Sequence, residues 1–217
     1  MPNYKFTYFA VRGKGEFIRQ LFALAEVEFE DDRFSLGPSG RASTLDRAKW
    51  GELKKTTHFG QLPVLKFDGK QLAQANAIAK FLGAEFGFNG SNAYEAALID
   101  SIGIAYDDLF KACRPFYLSW HGVSEESMDD AYKTSVEPGR DKFFPAISKF
   151  LGNSKSGFIV GEKISWIDLL VADHCETFIR YNAHYLDKYP EVKAHMEKVH
   201  SIPAIKKWIQ TRPDTEI

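Results

Sequence analysis

The stretch Phe59-Gly-Gln-Leu-Pro-Val-Leu-Lys-Phe-Asp-Gly-Lys-Gln-Leu-Ala-Gln-Ala-Asn-Ala-Ile-Ala-Lys-Phe-Leu82 reads as strand, turn, strand and helix. Val64 to Phe67 is short, apolar and suited to a pleated sheet. Asp68-Gly69 tolerates the positive backbone angles of a two-residue hairpin turn. Gln71 to Ala73 returns as a second short strand, and Ala75, Ile78, Ala79 and Leu82 then fall at helical spacing. Pro63 has no N–H to give to a sheet ladder, which places it at the start of its strand. A cis bond before Pro63 is a second option and would turn a backbone edge outward. An open backbone edge followed by a helix N-terminus suits a ligand that is part peptide and part anion.

This stretch resembles the glutathione-binding half of the cytosolic glutathione transferases. Gln61-Leu62-Pro63 is similar to the family's proline loop, which pairs with the cysteinyl backbone of glutathione, and Gln74-Ala75 to its Gln-Ser pair, which grips the γ-glutamyl carboxylate. Further matches along the chain, given below, point to the sigma-like class, with similarity to glutathione-dependent prostaglandin D synthase. The resemblance implies a thioredoxin-like α/β N-terminal domain over residues 1–84 and an all-α C-terminal domain with an electrophile pocket over 93–217. Ala75 departs from the pattern. Its missing hydroxyl removes a charge-assisted hydrogen bond worth about 1.5–3 kcal/mol, so weaker glutathione binding is expected, not its loss.

Bulk composition excludes other classes. The 217 residues carry a net charge of −1, with 44% hydrophobic and 26% charged residues. Nothing in that balance suggests a nucleic-acid or membrane-surface partner. Cys113 and Cys175 are too few for a disulfide framework or a metal cluster; read as free thiols, they fit a cytoplasmic setting. No apolar leader or membrane-length run is visible, so the Asn89-Gly-Ser91 sequon is expected to stay unmodified.

In the N-terminal part, Lys5 to Phe9 reads as a strand, Glu16 to Ala25 as a helix with Phe17, Leu21 and Leu24 on one face, and Phe29 to Phe34 as a second strand. This β-α-β order predicts a parallel pair. Gly13 and Gly15 permit a tight turn or the close approach of a ligand. Ser35 to Leu45 is a loop that looks longer than its sigma-class counterpart, and Ala48 to Lys55 a short helix over the site. Tyr8, at a strand end, carries the chemistry that the resemblance implies. A phenol O–H aimed at the glutathione sulfur favours the thiolate, the reactive form. Tyr8-Phe9 and Arg12-Gly13 match the sigma-like opening. Lys14 falls where many such relatives carry arginine; it raises the local positive potential with less orienting power. Trp50 and Lys54 match positions that contact the glycyl end of glutathione.

Beyond the Gly/Asn-rich break at 86–92, helical patterns run through roughly 93–120, 126–151, 166–185, 189–200 and 203–210. By resemblance, Asp107 reaches across a homodimer interface towards the partner's glutathione. Ser165-Trp-Ile-Asp168 has the form of a capping box and reads as structural. The tail Thr211-Arg-Pro-Asp214 is expected close to the electrophile pocket, for which Phe9, Val11, Phe110 and His174 are candidates, with core packing an equal reading of His174. No HExxH or Cys/His ligand spacing occurs, so no metal is assigned, and glutathione enters as co-substrate rather than cofactor. Cys113 has no activating motif around it. The expected activity is a detoxifying glutathione transfer to a small apolar electrophile. Peroxide reduction and prostaglandin isomerisation would use the same thiolate. A non-catalytic carrier or structural protein of transferase descent is the other reading, favoured by Ala75 and Lys14 and disfavoured by Tyr8 and Gln74.

Overall fold

Residues 2–217 are described by the computed structural model. Strand β1 (Tyr4–Phe9) buries Tyr4, Phe6, Thr7 and Tyr8, because sheet neighbours flank it on both sides and helices cover its faces. It pairs in parallel with β2 (Phe29–Phe34) and antiparallel with β3 (Val64–Phe67), which pairs in turn with β4 (Lys70–Ala73). The sheet order is therefore β2-β1-β3-β4. Helix α1 (Glu16–Ala25) makes the crossover between the parallel strands. The hairpin turn is as read: Asp68 and Gly69 both take positive φ, 46° and 73°. Helix α2 (Arg47–Lys55) precedes β3 and α3 (Ala75–Phe86) follows β4. The result is a thioredoxin-like βαβ–ββα unit.

The remainder is helical: α4 (Ala93–Ala112), α5 (Arg114–Trp120), α6 (Met128–Ala131), α7 (Glu137–Asn153), α8 (Trp166–Tyr181), α9 (Pro190–Ser201) and α10 (Pro203–Thr211). Three of the sequence-read helices are interrupted or shortened. The first breaks at Cys113, because Pro115 has no N–H for the carbonyl of Lys111. The second passes through a π turn at Tyr132–Val136, just ahead of Pro138, whose ring cannot bond the carbonyl of Thr134. The third stops at Tyr181 rather than 185, where Asn182 turns its carboxamide oxygen to the N–H of His184 and its NH₂ to the Tyr132 hydroxyl.

Two buried polar clusters hold these layers. Asp168, fully buried, accepts from the Ser165 N–H and hydroxyl, the Ile159 N–H and His195 Nε2, all within 2.9 Å. This is the structural role read from the capping box; deleting the carboxylate would strand these donors at a cost of about 3–5 kcal/mol. Where α1 meets α8, the side chains of Arg12, Glu16 and Asp173 are buried and those of Arg212 and Glu176 nearly so. Arg212 and the Trp208 indole both donate to Glu16, at 2.9 and 2.8 Å, and Arg12 and Arg212 both reach Glu176. Burial pushes the Asp173 carboxyl up to about 8.

Candidate active site

The centre of the site is the end of β1. Tyr8 is 8% exposed, and its hydroxyl oxygen accepts the backbone N–H of Lys14 at 3.0 Å. That bond fixes the oxygen and leaves the O–H free to donate elsewhere. Burial raises the phenol's pKa, against the lowering effect of the Lys14 N–H and of the Arg19 charge, so Tyr8 stays a proton donor. Gly13 and Gly15 leave the room that Tyr8 occupies, and Gly13 also lines the cavity beside it. A Cβ on Gly15 would lie 2.3 Å from Tyr8 Cδ1, and one on Gly13, which has φ of 40°, would lie 2.9 Å from the hydroxyl.

Tyr8 opens into a cavity of about 400 Å³, also walled by Phe9, Val11, Phe110, Tyr117, Leu36 and Ile217. Three of the four candidate pocket residues, Phe9, Val11 and Phe110, are thus on its wall. His174 is not: it lies 3% exposed in the helical core, with Tyr106 OH 3.3 Å from Nδ1 and Tyr185 OH 2.8 Å from Nε2. Burial lowers its pKa to about 3, which keeps the ring neutral between those hydroxyls. This corrects the pocket reading of His174 in favour of packing.

The sequence reading did not single out Tyr117, His121 or Ile217 as wall residues. The loop Ser35–Leu45 contributes Leu36, Ala42 and Leu45 to the wall. It is tied to α5 by the Ala42 N–H on His121 Nδ1, at 3.2 Å, and the Ser43 N–H on the His121 carbonyl, at 3.3 Å. Burial lowers the His121 pKa, which keeps Nδ1 free to accept. Ile217 reaches the cavity because Arg12 draws the tail inward, the Arg12 N–H donating to the Ile217 oxygen at 2.9 Å.

Lys14 sits at the edge of this space, 2.7 Å from Asp107 Oδ1 and 4.4 Å from the centroid of Phe110. The other Asp107 oxygen accepts from Asn76 at 3.0 Å, so Asp107 joins the loop after β1 to helices α3 and α4. Gln74 holds φ of 74°, unusual for a side-chain-bearing residue, and its amide is 3.5 Å from the Gln61 oxygen. Ala75 follows as the first residue of α3, buried, and no side chain caps that helix end. The Leu62-Pro63 bond is cis. Trp50 stacks near Phe9 and Phe34, with ring centroids 5.2 and 5.8 Å away, and Lys54 Nζ lies 5.7 Å from the indole. Lys54 has no ion pair among the described residues.

Cys113 is buried and pushed up to about 12, and burial raises Cys175 as well, so neither thiol is primed as a nucleophile. Among the described residues no group of three His, Cys, Asp or Glu side chains is placed to hold a metal ion. Among them too, no helix is long and apolar enough to cross a membrane.

Residues 4–84 match the family model for the glutathione S-transferase N-terminal domain, and 112–212 that for the C-terminal domain. The chain is 40% identical over 215 residues to probable glutathione S-transferase 7 of Caenorhabditis elegans, covering 99% of each. The structure resembles a crystal structure of monomeric Na-GST-3, a glutathione S-transferase of the hookworm Necator americanus, with a TM-score of 0.90 and 43% identity, covering 99% of this chain and 100% of that one. It also resembles prostaglandin synthase D of Nilaparvata lugens, with a TM-score of 0.82 and 32% identity over 98% and 100% of the two chains. With both halves matched in order and full-length relatives at this identity, the chain belongs to the glutathione S-transferase family and is an enzyme of that kind.

Proposed function

We propose that Tyr8 is the catalytic residue, its O–H donating to the glutathione sulfur and favouring the thiolate. The observation that carries this is the Tyr8 oxygen held by the Lys14 N–H at the mouth of an apolar cavity, with its own proton uncommitted. The thiolate then attacks a small apolar electrophile lying against Phe9, Val11 and Phe110. Catalysis comes from a larger thiolate fraction and from holding both reactants at one wall. Conjugation of glutathione to a chloronitrobenzene, compared between the native protein and Tyr8→Phe, tests the assignment; equal rates would remove Tyr8 from the chemistry.

Glutathione itself is assigned to the surface beside Tyr8. Gln61 and Gln74 face each other there, and the uncapped first turn of α3 at Ala75 offers N–H groups to the γ-glutamyl carboxylate. The edge at Leu62-Pro63 suits the cysteinyl backbone, and Trp50 and Lys54 suit the glycyl carboxylate. On this reading residues 1–84 bind glutathione and 93–217 complete the electrophile pocket. Ala75 favours weak glutathione binding, and a protein that binds glutathione without turnover would fit a carrier. The same thiolate would also serve peroxide reduction or prostaglandin isomerisation. Two buried free thiols support a cytoplasmic setting.

A homodimer is the assembly proposed, with Asp107 near its interface. Support comes from an apolar groove of about 310 Å³ along α4 and α7, and from Ile104, 69% exposed on α4. The hookworm Na-GST-3 is monomeric, and Asp107 already holds Lys14 and Asn76 of its own chain. Sedimentation decides: a monomer would confine Asp107 to that local role.

A further inference from the structure

A second cavity, about 610 Å³ in volume, lies on the far side of the tail from the Tyr8 cavity. Phe116, Trp120, Met128 and Tyr181 give it an apolar wall, and Arg41 and Arg180 stand at its rim. Both arginines are occupied by the tail: Arg41 reaches Glu216 at 3.3 Å and Arg180 reaches Asp214 at 2.9 Å. Ile217 is 7% exposed and is the one residue common to the walls of both cavities. What seats it is Arg12, a guanidinium 1% exposed and fixed by Glu176 at 3.2 Å. The Arg12 backbone N–H donates to Ile217, and its Nη2 donates to the Glu216 carbonyl at 2.9 Å. The Trp120 indole adds a bond to the Glu216 carboxylate at 2.7 Å. The partition is thus a single apolar side chain on a backbone held at two successive residues.

We propose that Ile217, seated by Arg12, sets the length of electrophile this enzyme accepts, and that the cavity behind it takes the distal end of a longer alkyl chain once the partition is cut back. This rests on the Tyr8 cavity being the electrophile site. Ile217 is the specificity-determining residue and Arg12 a positioning residue that acts through it. The native enzyme accordingly favours compact electrophiles that end within the cavity of about 400 Å³. A chain extended from the glutathione sulfur meets the Ile217 side chain, whereas an alanine there joins the two spaces and opens a path to the rings of Phe116, Trp120 and Tyr181.

S-alkylglutathiones test this without requiring turnover, since the alkyl chain starts at the sulfur. Calorimetry would compare S-hexylglutathione with S-decylglutathione on the native protein, Ile217→Ala and Arg12→Lys. Native protein is expected to gain nothing from the longer chain. Ile217→Ala is expected to shift the decyl-to-hexyl affinity ratio by about tenfold or more, as buried methylenes add up. Arg12→Lys keeps the charge and the backbone bond to Ile217 but loses the Nη2 bond to the Glu216 carbonyl, so its ratio shifts the same way and less. A merely structural role for Ile217 would lower both affinities in parallel, and an unchanged ratio in Ile217→Ala overturns the inference while leaving the proposed function standing. Native protein that fails to bind S-hexylglutathione overturns both.

Discussion

The two ends of the proposed site are built differently. At the reacting end Tyr8 is buried, its oxygen is fixed by the Lys14 N–H, and its ring packs against two glycines where a Cβ would clash with it. At the glutathione end the side chains are exposed and lightly held: Gln61 and Gln74 meet at 3.5 Å, and Lys54 has only the face of Trp50 beside it. On the proposed assignment, preorganisation is concentrated where charge develops, while the recognition end relies on backbone groups and a helix terminus. Substitutions at the first end should therefore change rate, and those at the second should change affinity.

The sharpest way to break that contrast is Tyr8→Phe. Loss of one hydrogen bond to a charged sulfur, about 1.5–3 kcal/mol, predicts a fall in kcat/KM of roughly 10- to 150-fold, with glutathione binding nearly intact. Gly15→Ala should come next. Its Cβ cannot coexist with the Tyr8 ring, so the ring must shift; the overpacking costs about 1–3 kcal/mol of stability and takes most of the rate with it, read by melting and by steady-state kinetics. At the other end, Ala75→Ser should tighten glutathione about tenfold or more through a restored charge-assisted bond, with kcat unmoved; titration calorimetry checks it. Lys54→Met should be the mildest, weakening glutathione by about 0.2–1 kcal/mol and less at high salt. A pH series sharpens the comparison. Because burial raises the Tyr8 pKa above its ordinary 10.0, the donor is intact below that value and is lost only above it. The alkaline limb of kcat/KM should accordingly show no Tyr8 break below about pH 10.

Local signals carried much of this architecture. The Asp68-Gly69 turn and the helical spacing after Gln74 each act within a few residues, and the structure follows them closely. Pro115 and Pro138 were visible too, yet the helical patterns on either side of them hid the interruptions they cause. The cavity wall was legible in part. Phe9 and Val11 lie within three residues of Tyr8, and Phe110 lies three residues after Asp107 on α4. Tyr117, His121 and Ile217 arrive only through tertiary contacts, the last carried by hydrogen bonds to a residue some two hundred positions away. His174 misled because a histidine on a helix beside a pocket and one between two core hydroxyls look alike until the partners, Tyr106 and Tyr185, are placed. The glycines were read for a turn or a ligand, and the room they leave is filled by the Tyr8 ring, which sequence spacing alone does not reveal.

The charge cluster between α1 and α8 has a consequence for how the molecule comes apart. Glu16 belongs to the half that carries the sheet, whereas Arg212, Trp208 and Glu176 belong to the helical half. Separation breaks the Glu16 bonds to Arg212 and Trp208 and the Arg12–Glu176 pair together, and leaves Glu16 only Arg19, at 3.5 Å. Melting should therefore occur as one cooperative event with no stage in which one half survives, and the sheet half expressed by itself should remain unfolded or aggregate.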